Sequence, residues 1–211
     1  MILNLGTILK KHTNMKQIVI IFFLYFSLPF FAQSEIKKME IEADSLYNAK
    51  QYNASIQIYN LLLSKNPKNS FYLSNQGLNY FKLNDFKKTK ENFRLSILYE
   101  DSDNKESLAI NYSNLSACFL ELNEFTKGYE YALKAYHLDK NDSTILWNVA
   151  SLANNVQDYK KVIEILNNAS IDKHNDFNSL YGTAYLSLGE NEKSINYYEI
   201  FLKILIPKID L

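Results

Sequence analysis

The sequence predicts an all-α chain built from repeated helix pairs, on three observations. First, glycine and proline are scarce, with 5 and 3 among 211 residues. An all-β sandwich needs a turn about every 8–12 residues, and a doubly wound α/β fold needs glycine-rich turns after its strands. No GxGxxG or P-loop run occurs. Second, hydrophobic residues make up 47% of the chain, too many for a disordered one. Third, aromatic and small residues return at a near-constant period of 34. The single cysteine excludes an intrachain disulfide and any CxxC metal site.

The N-terminal element, residues 1–33, reads as a secretory signal peptide. Lys16 follows Met15, Ile18 to Leu28 is an apolar run of 11 residues, and Phe31-Ala32-Gln33-Ser34 supplies a small residue for cleavage after Ala32. A membrane anchor needs about 20 apolar residues. Only 15 residues lie between Gln17 and the end of Ala32. No cysteine stands at the cleavage site, so no lipoprotein anchor is expected. Met1 to Asn14 precede an ordinary signal start, which makes Met15 the expected initiator. A signal ending in Phe31-Ala32-Gln33 resembles those of the Bacteroidetes. The expectation is an exported chain, periplasmic or secreted, with no stable membrane insertion after cleavage.

Charge removes a class of partner. Lys+Arg and Asp+Glu each number 23, and Arg94 is the one arginine. Nucleic-acid binding requires a basic stripe with bidentate arginines, so no nucleic acid is expected. Losing 1–33 removes three lysines and leaves 20 cations against 23 acids, a net charge of −3.

The helical units follow in register. Aromatics recur in Lys50-Gln51-Tyr52-Asn53, Asn84-Asp85-Phe86-Lys87, Asn123-Glu124-Phe125-Thr126 and Gln157-Asp158-Tyr159-Lys160, spaced 34, 39 and 34 apart. Small residues recur at Ala43, Gly77, Ser116, Ala150 and Gly182, spaced 34, 39, 34 and 32. Tyr59, Phe93, Ala132, Leu166 and Tyr198 repeat those four spacings. Three series sharing one irregularity define five units, at about 36–69, 70–103, 109–142, 143–174 and 175–206. A short insertion falls at 104–108 and a tail at 207–211.

Each unit reads as two helices. The Ala43 series thins the first helix, and Ser55, Thr89, Gly128, Val162 and Ser194 thin the second, so that the axes approach closely. The turn inside each unit falls at Lys50-Gln51, Asn84-Asp85, Asn123-Glu124, Gln157-Asp158 and Gly189-Glu190. Junctions between units carry cap and breaker residues: Asn66-Pro67, Asp101-Ser102-Asp103, Asp139-Lys140-Asn141-Asp142 and Lys173-His174-Asn175-Asp176.

On these residues the chain resembles tetratricopeptide-repeat (TPR) proteins over about residues 36–206. Leu180-Tyr181-Gly182-Thr183-Ala184-Tyr185 has the form of the family's L-G-x2-Y element, and Asn75-Gln76-Gly77-Leu78-Asn79-Tyr80 nearly so. The unit-ending proline is kept only as Pro67, with Asp101, Lys140 and His174 in its place later. Glu42 and Gln76 stand where an apolar residue is usual, and Phe201 where a small one is. The resemblance implies a solenoid of about five helix-turn-helix units forming a right-handed superhelix, with first helices lining a concave groove for a peptide or partner protein.

Carried onto this chain, the groove sites are Tyr47, Phe71, Asn75, Leu78, Phe81, Lys82, Ile110, Asn114, Ala117, Leu120, Glu121, Trp147, Asn148, Ser151 and Asn154. Amides there offer both donor and acceptor to a peptide backbone, and aromatics serve as anchors. The competing expectation is that many of these side chains pack against the neighbouring first helix. Asn75, Asn114 and Asn148 recur where chaperone-adaptor TPRs clamp a carboxylate. The lysines or arginines such a clamp needs are missing around them, so no carboxylate clamp is expected. Trp147 is open to two readings, binding anchor or packing between units.

Catalytic, cofactor and metal sites are not expected. Cys118 sits mid-helix between Ala117 and Phe119, as a small core residue does. His137 and His174 lie at unit junctions without an HExxH or HxH partner. Three functions are carried forward. The leading one is a scaffold or adaptor in the cell envelope. The alternative is the extracytoplasmic sensor module of a truncated or split signalling protein. A hydrolase or carbohydrate-binding protein is disfavoured. The last helix, from Lys193 to about Leu205, carries Ile195, Tyr198, Ile200, Phe201, Leu202 and Ile204. Apolar residues on more than one face predict self-association or a covering partner at this end.

Overall fold

A computed structural model of the chain describes residues 33–168 and 177–205, with the side chains of 204 and 205 outside it. The segment through Ala32, the junction at 173–176 and the tail from 206 therefore lie outside the described residues. Ten helices account for the described chain: α1 (33–48), α2 (Tyr52–Lys65), α3 (Ser70–Lys82), α4 (Phe86–Tyr99), α5 (Lys105–Glu121), α6 (Phe125–Leu138), α7 (Ser143–Asn155), α8 (Tyr159–Asn168), α9 (Phe177–Ser187) and α10 (Asn191–Leu205). Contacts divide the chain into two bodies at Leu62.

The turn inside every unit has one construction. Lys50, Asn84, Asn123, Gln157 and Gly189 take positive φ, from 56° to 79°. The next amide then reaches back to a carbonyl of the first helix: Gln51 N to Leu46 O, Asp85 N to Tyr80 O, Glu124 N to Phe119 O, Asp158 N to Ala153 O, and Glu190 N to Tyr185 O, at 2.8–3.0 Å. This left-handed closure satisfies carbonyls that the helix end would orphan. Helices then restart on side-chain caps. Asn69, Asp85, Asn104 and Asp142 each accept the backbone N–H three residues on.

Lysines stitch three of these turns to the helix before them. Lys88, Lys127 and Lys193 place Nζ over the rings of Tyr80, Phe119 and Tyr185, at 4.8, 6.0 and 5.0 Å. The same ammonium groups pair with Asp85, Glu124 and Glu190, three residues earlier.

In the first body, α1 packs on α2 through buried Ala43 and Ser55. Ser55 Oγ donates to the Ala43 carbonyl at 3.0 Å, and Tyr59 Oη donates to Asp44 at 2.9 Å. In the second body, α3–α4, α5–α6, α7–α8 and α9–α10 form the paired helices, and each second helix packs on the next first helix. Small residues let the axes meet, as at Gly182, where an added Cβ would lie 2.9 Å from the Tyr198 ring. Ser194 Oγ closes that contact by donating to the Gly182 carbonyl at 2.9 Å, the same bond that joins Ser55 to Ala43. One core, led by Leu146, Val149, Leu152, Ile165 and Phe177, runs from α5 to α9. Phe93, Leu115 and Phe119 form a second one.

The chain absorbs the inserted residues mostly as helix. α5 has 17 residues where α3 and α7 have 13, so the extra turn is Lys105–Leu108. Glu100 ties the junction by accepting from Asn104 Nδ2 and from Ser107 Oγ.

Candidate protein-binding face

First helices touch first helices in the second body: α3 with α5, α5 with α7, and α7 with α9. Among the described residues no two second helices approach comparably. First helices therefore lie on the inside of the stack, and their shared face is the candidate site.

The seam between first helices is a ladder of side-chain rungs. Ser74 Oγ bonds Asn111 Oδ1 at 2.6 Å. Asn148 Nδ2 donates to Ser113 Oγ at 2.9 Å and to the Ser113 carbonyl at 3.3 Å. At the next rung, Trp147 stacks on Phe177 with ring centroids 6.0 Å apart and planes 29° apart. Polar pairs thus join α3–α5 and α5–α7, and an aromatic pair joins α7–α9.

The expected groove residues divide between seam, core and surface. Asn148 and Ser151 are buried, and Asn148 spends its amide on α5. Leu78 and Leu120 pack against the two cores. Phe81 meets Phe86 edge-on across the turn, at 5.9 Å. Asn75 donates to the Phe71 carbonyl of its own helix at 2.9 Å. Asn114, Ala117 and Asn154 are half-buried, and Lys82 and Glu121 are exposed. Phe71, Ile110 and Trp147 hold the exposed apolar surface of the face, at 52, 48 and 36%. Tyr47 belongs to the first body, edge-on to Tyr52 at 5.5 Å. Burial, and secondly Tyr52, raises its pKa. Trp147 packs between units, stacked on Phe177, and remains 36% exposed.

Sequence reasoning missed Phe177, Ser113 and Asn111 as rung partners. Their only trace was position: Asn111 and Ser113 lie midway along α5 and Phe177 opens α9. Around Asn75, Asn114 and Asn148 no lysine or arginine follows or precedes on the same helix face, apart from Lys82 at the end of α3.

Cys118, Tyr129 and Lys90 make packing and pairing contacts. Cys118 is buried, its Sγ 3.7 Å from the Phe86 carbonyl, and burial pushes its thiol up to about 11. Tyr129 is raised by burial and by donating to Asp158 at 3.1 Å, which ties α6 to the following turn. Lys90 ties α4 to the following turn through Glu124, at 3.1 Å. Among the described residues no cluster of three metal-ligating side chains occurs, and no helix is long and apolar enough to cross a membrane.

No family model matches the chain, and no curated protein matches it in sequence. Solved structures match its fold. A crystal structure of MamA superposes with a TM-score of 0.68 at 15% identity, over 80% of this chain and 90% of that one. PilF of Pseudomonas aeruginosa gives 0.70 at 15% identity, over 96% and 88%. The first TPR of Spaghetti, bound to the HSP90 peptide SRMEEVD, gives 0.53 at 15% identity, over 58% and 94%. The chain has the fold of a TPR protein.

Proposed function

We propose that this chain is a protein-interaction scaffold of the cell envelope, a binding protein and not an enzyme, that holds an extended segment of a partner along its first-helix face. The observation that carries the reading is the row formed by Phe71, Ile110 and Trp147. These are large apolar side chains left open on successive first helices of one face. Amides and hydroxyls lie between them, and a polar seam fixes the spacing of the helices beneath. A rigid face with exposed aromatics is the arrangement that supplies binding energy at low entropic cost. The Spaghetti structure supports the mode of binding, since a TPR module there holds a peptide.

Location in the periplasm or outside the cell rests on the signal-like N-terminus. Mass spectrometry of the protein from fractionated cells tests it. A mature chain starting at Gln33 supports export, and an intact Met1 or Met15 sinks it. Binding is tested by affinity capture from the envelope with wild type and with Phe71→Ser/Ile110→Ser. A partner retained by both overturns the face.

The partner set includes a second copy of this chain, docked on α10. Ile195 and Leu202 are 59 and 51% exposed there. At equivalent sites in earlier units, Tyr129 reaches Asp158 of the following unit, Ile163 packs on the core, and Tyr136 is buried.

A further inference from the structure

The repeat period lets α1 and α10 be compared, site by site, with the helices between them. The site of Glu42 recurs as Gln76, Leu115, Val149 and Tyr181, and that of Lys38 as Tyr72, Asn111, Ile145 and Phe177. All of these later residues are buried. From α5 on they meet the preceding unit: Asn111 bonds Ser74 at 2.6 Å, Leu115 packs with Phe93, Tyr181 donates to Asn167 at 3.0 Å, and Phe177 stacks on Trp147. On α1 the same sites hold Glu42 and Lys38, and both are exposed. α1 therefore presents a charged face of the kind that ends a stack. α10 is built the other way. The site of Ile195 recurs as Lys90, Tyr129 and Ile163. Lys90 and Tyr129 pair with Glu124 and Asp158 of the following unit, and Ile163 packs on the core. On α10 that site and the one a further two turns on, Ile195 and Leu202, are 59 and 51% exposed.

We infer that a second copy docks α10 against α10, antiparallel, in a closed two-fold dimer. The inference rests on the self-association proposed above and adds the surface of the second copy and the symmetry. Seating α1 on Ile195 and Leu202 would strip Lys38 and Glu42 of water against apolar side chains, which is unfavourable. A head-to-tail contact also repeats without closing, whereas α10 against α10 uses one self-complementary patch on both copies. The sequence of α10 supplies that complementarity. Ile195 and Leu202 stand seven residues apart on one stripe of the helix. Antiparallel copies set Ile195 of each against Leu202 of the other. The same alignment carries Glu192, in the first turn, to the last turn of the other copy, which holds Lys203. Within its own helix Lys203 has only a loose, exposed pairing with Glu199, at 3.9 Å. Parallel copies would instead set Glu192 on Glu192 and Lys203 on Lys203. α10 has 15 residues, a length of about 22 Å. One helix face of that length falls short of the roughly 800 Å² per partner of a standard interface, so the dimer is reversible and forms as concentration rises.

Sedimentation equilibrium of the purified protein tests this. The mean mass is expected to rise with concentration to that of two chains and to stop there. Ile195→Glu/Leu202→Glu is expected to hold it at one chain, and Ile41→Glu, on the exposed side of α1, to change nothing. Glu192 and Lys203 are both exposed, so reversing them spares the fold. Glu192→Lys or Lys203→Glu alone sets like charges together twice in an antiparallel pair. Each is expected to weaken the dimer about tenfold at low salt, and the two reversals combined to restore it. A mass that grows past two chains, or that falls with Ile41→Glu, overturns the α10 pair and leaves self-association standing. Single reversals without effect, or a double reversal that fails to restore the dimer, overturn the antiparallel arrangement. A wild-type monomer at every concentration overturns the pair and the self-association together.

Discussion

Asn148 on α7 donates to both oxygens of Ser113 on α5, 2.9 Å to Oγ and 3.3 Å to the carbonyl. An asparagine that the family resemblance placed in the groove is thereby a structural strut. Asn148→Ala takes the donor from the buried Ser113 Oγ, while the Ser113 carbonyl keeps Ser116 Oγ at 2.7 Å. The expected loss is about 1–3 kcal/mol, read as a lower urea midpoint. A stability equal to wild type would show that the rung carries nothing.

The left-handed turn residues give a clean backbone test. Gln157 holds φ at 65°, where a side chain costs about 1 kcal/mol relative to glycine. Gln157→Gly is expected to stabilise by about that amount. Gly189 sits at φ 79° with no atom near an added Cβ, so Gly189→Ala measures the opposite change without a packing term. Equal midpoints for both variants and wild type, by urea denaturation, contradict the shared turn.

Glu124 receives Lys127 at 2.7 Å and Lys90 at 3.1 Å, and these bonds hold its carboxyl below the ordinary range. A folded pKa below the unfolded one contributes stability at pH values above the unfolded pKa, about 4.3 for glutamate. That contribution is lost as pH falls through the folded value. Glu124→Gln is therefore expected to flatten the acid limb of a stability–pH profile and to leave its shape above pH ~6 unchanged. A steeper acid limb contradicts the pairing.

Cys118 should resist a thiol reagent. With the thiol pushed to about 11 and buried, little thiolate exists at pH ~8. Titration with a disulfide reagent is expected to find no reactive thiol in the folded protein and one in urea. Fast reaction in the folded state contradicts the burial.

Docking of a second copy on α10 predicts an average mass by light scattering that rises with concentration. Ile195→Glu/Leu202→Glu should hold it at the monomer. A concentration-independent monomer for wild type contradicts self-association.

What the sequence made legible followed from its geometry. The period of 34 forces equivalent residues into equivalent packing, so Ala43, Gly77, Ser116, Ala150 and Gly182 all prove buried. The dipeptides at the turns carry the positive-φ residue first and the closing amide second. The face was harder to read. On a first helix the seam and the open groove are neighbouring positions, separated by one residue and about 100° of helix. Asn148 and Trp147 are such neighbours, and one-dimensional spacing cannot say which turns inward. The Trp147–Phe177 rung joins residues 30 apart, which is not the repeat period, so no internal series marked it.

The proposed scaffold binds its partners on the first-helix face and not on the outside of the stack. Site-specific photo-crosslinking in cells tests it most directly. A benzophenone amino acid is placed at Phe71, Ile110 or Trp147 on the inner face, and at Arg94, Glu130 or Glu164 on the exposed second helices. One discrete adduct shared by the inner positions, and none from the outer three, is the expected result. Adducts from Arg94, Glu130 or Glu164 with none from the inner face would contradict it.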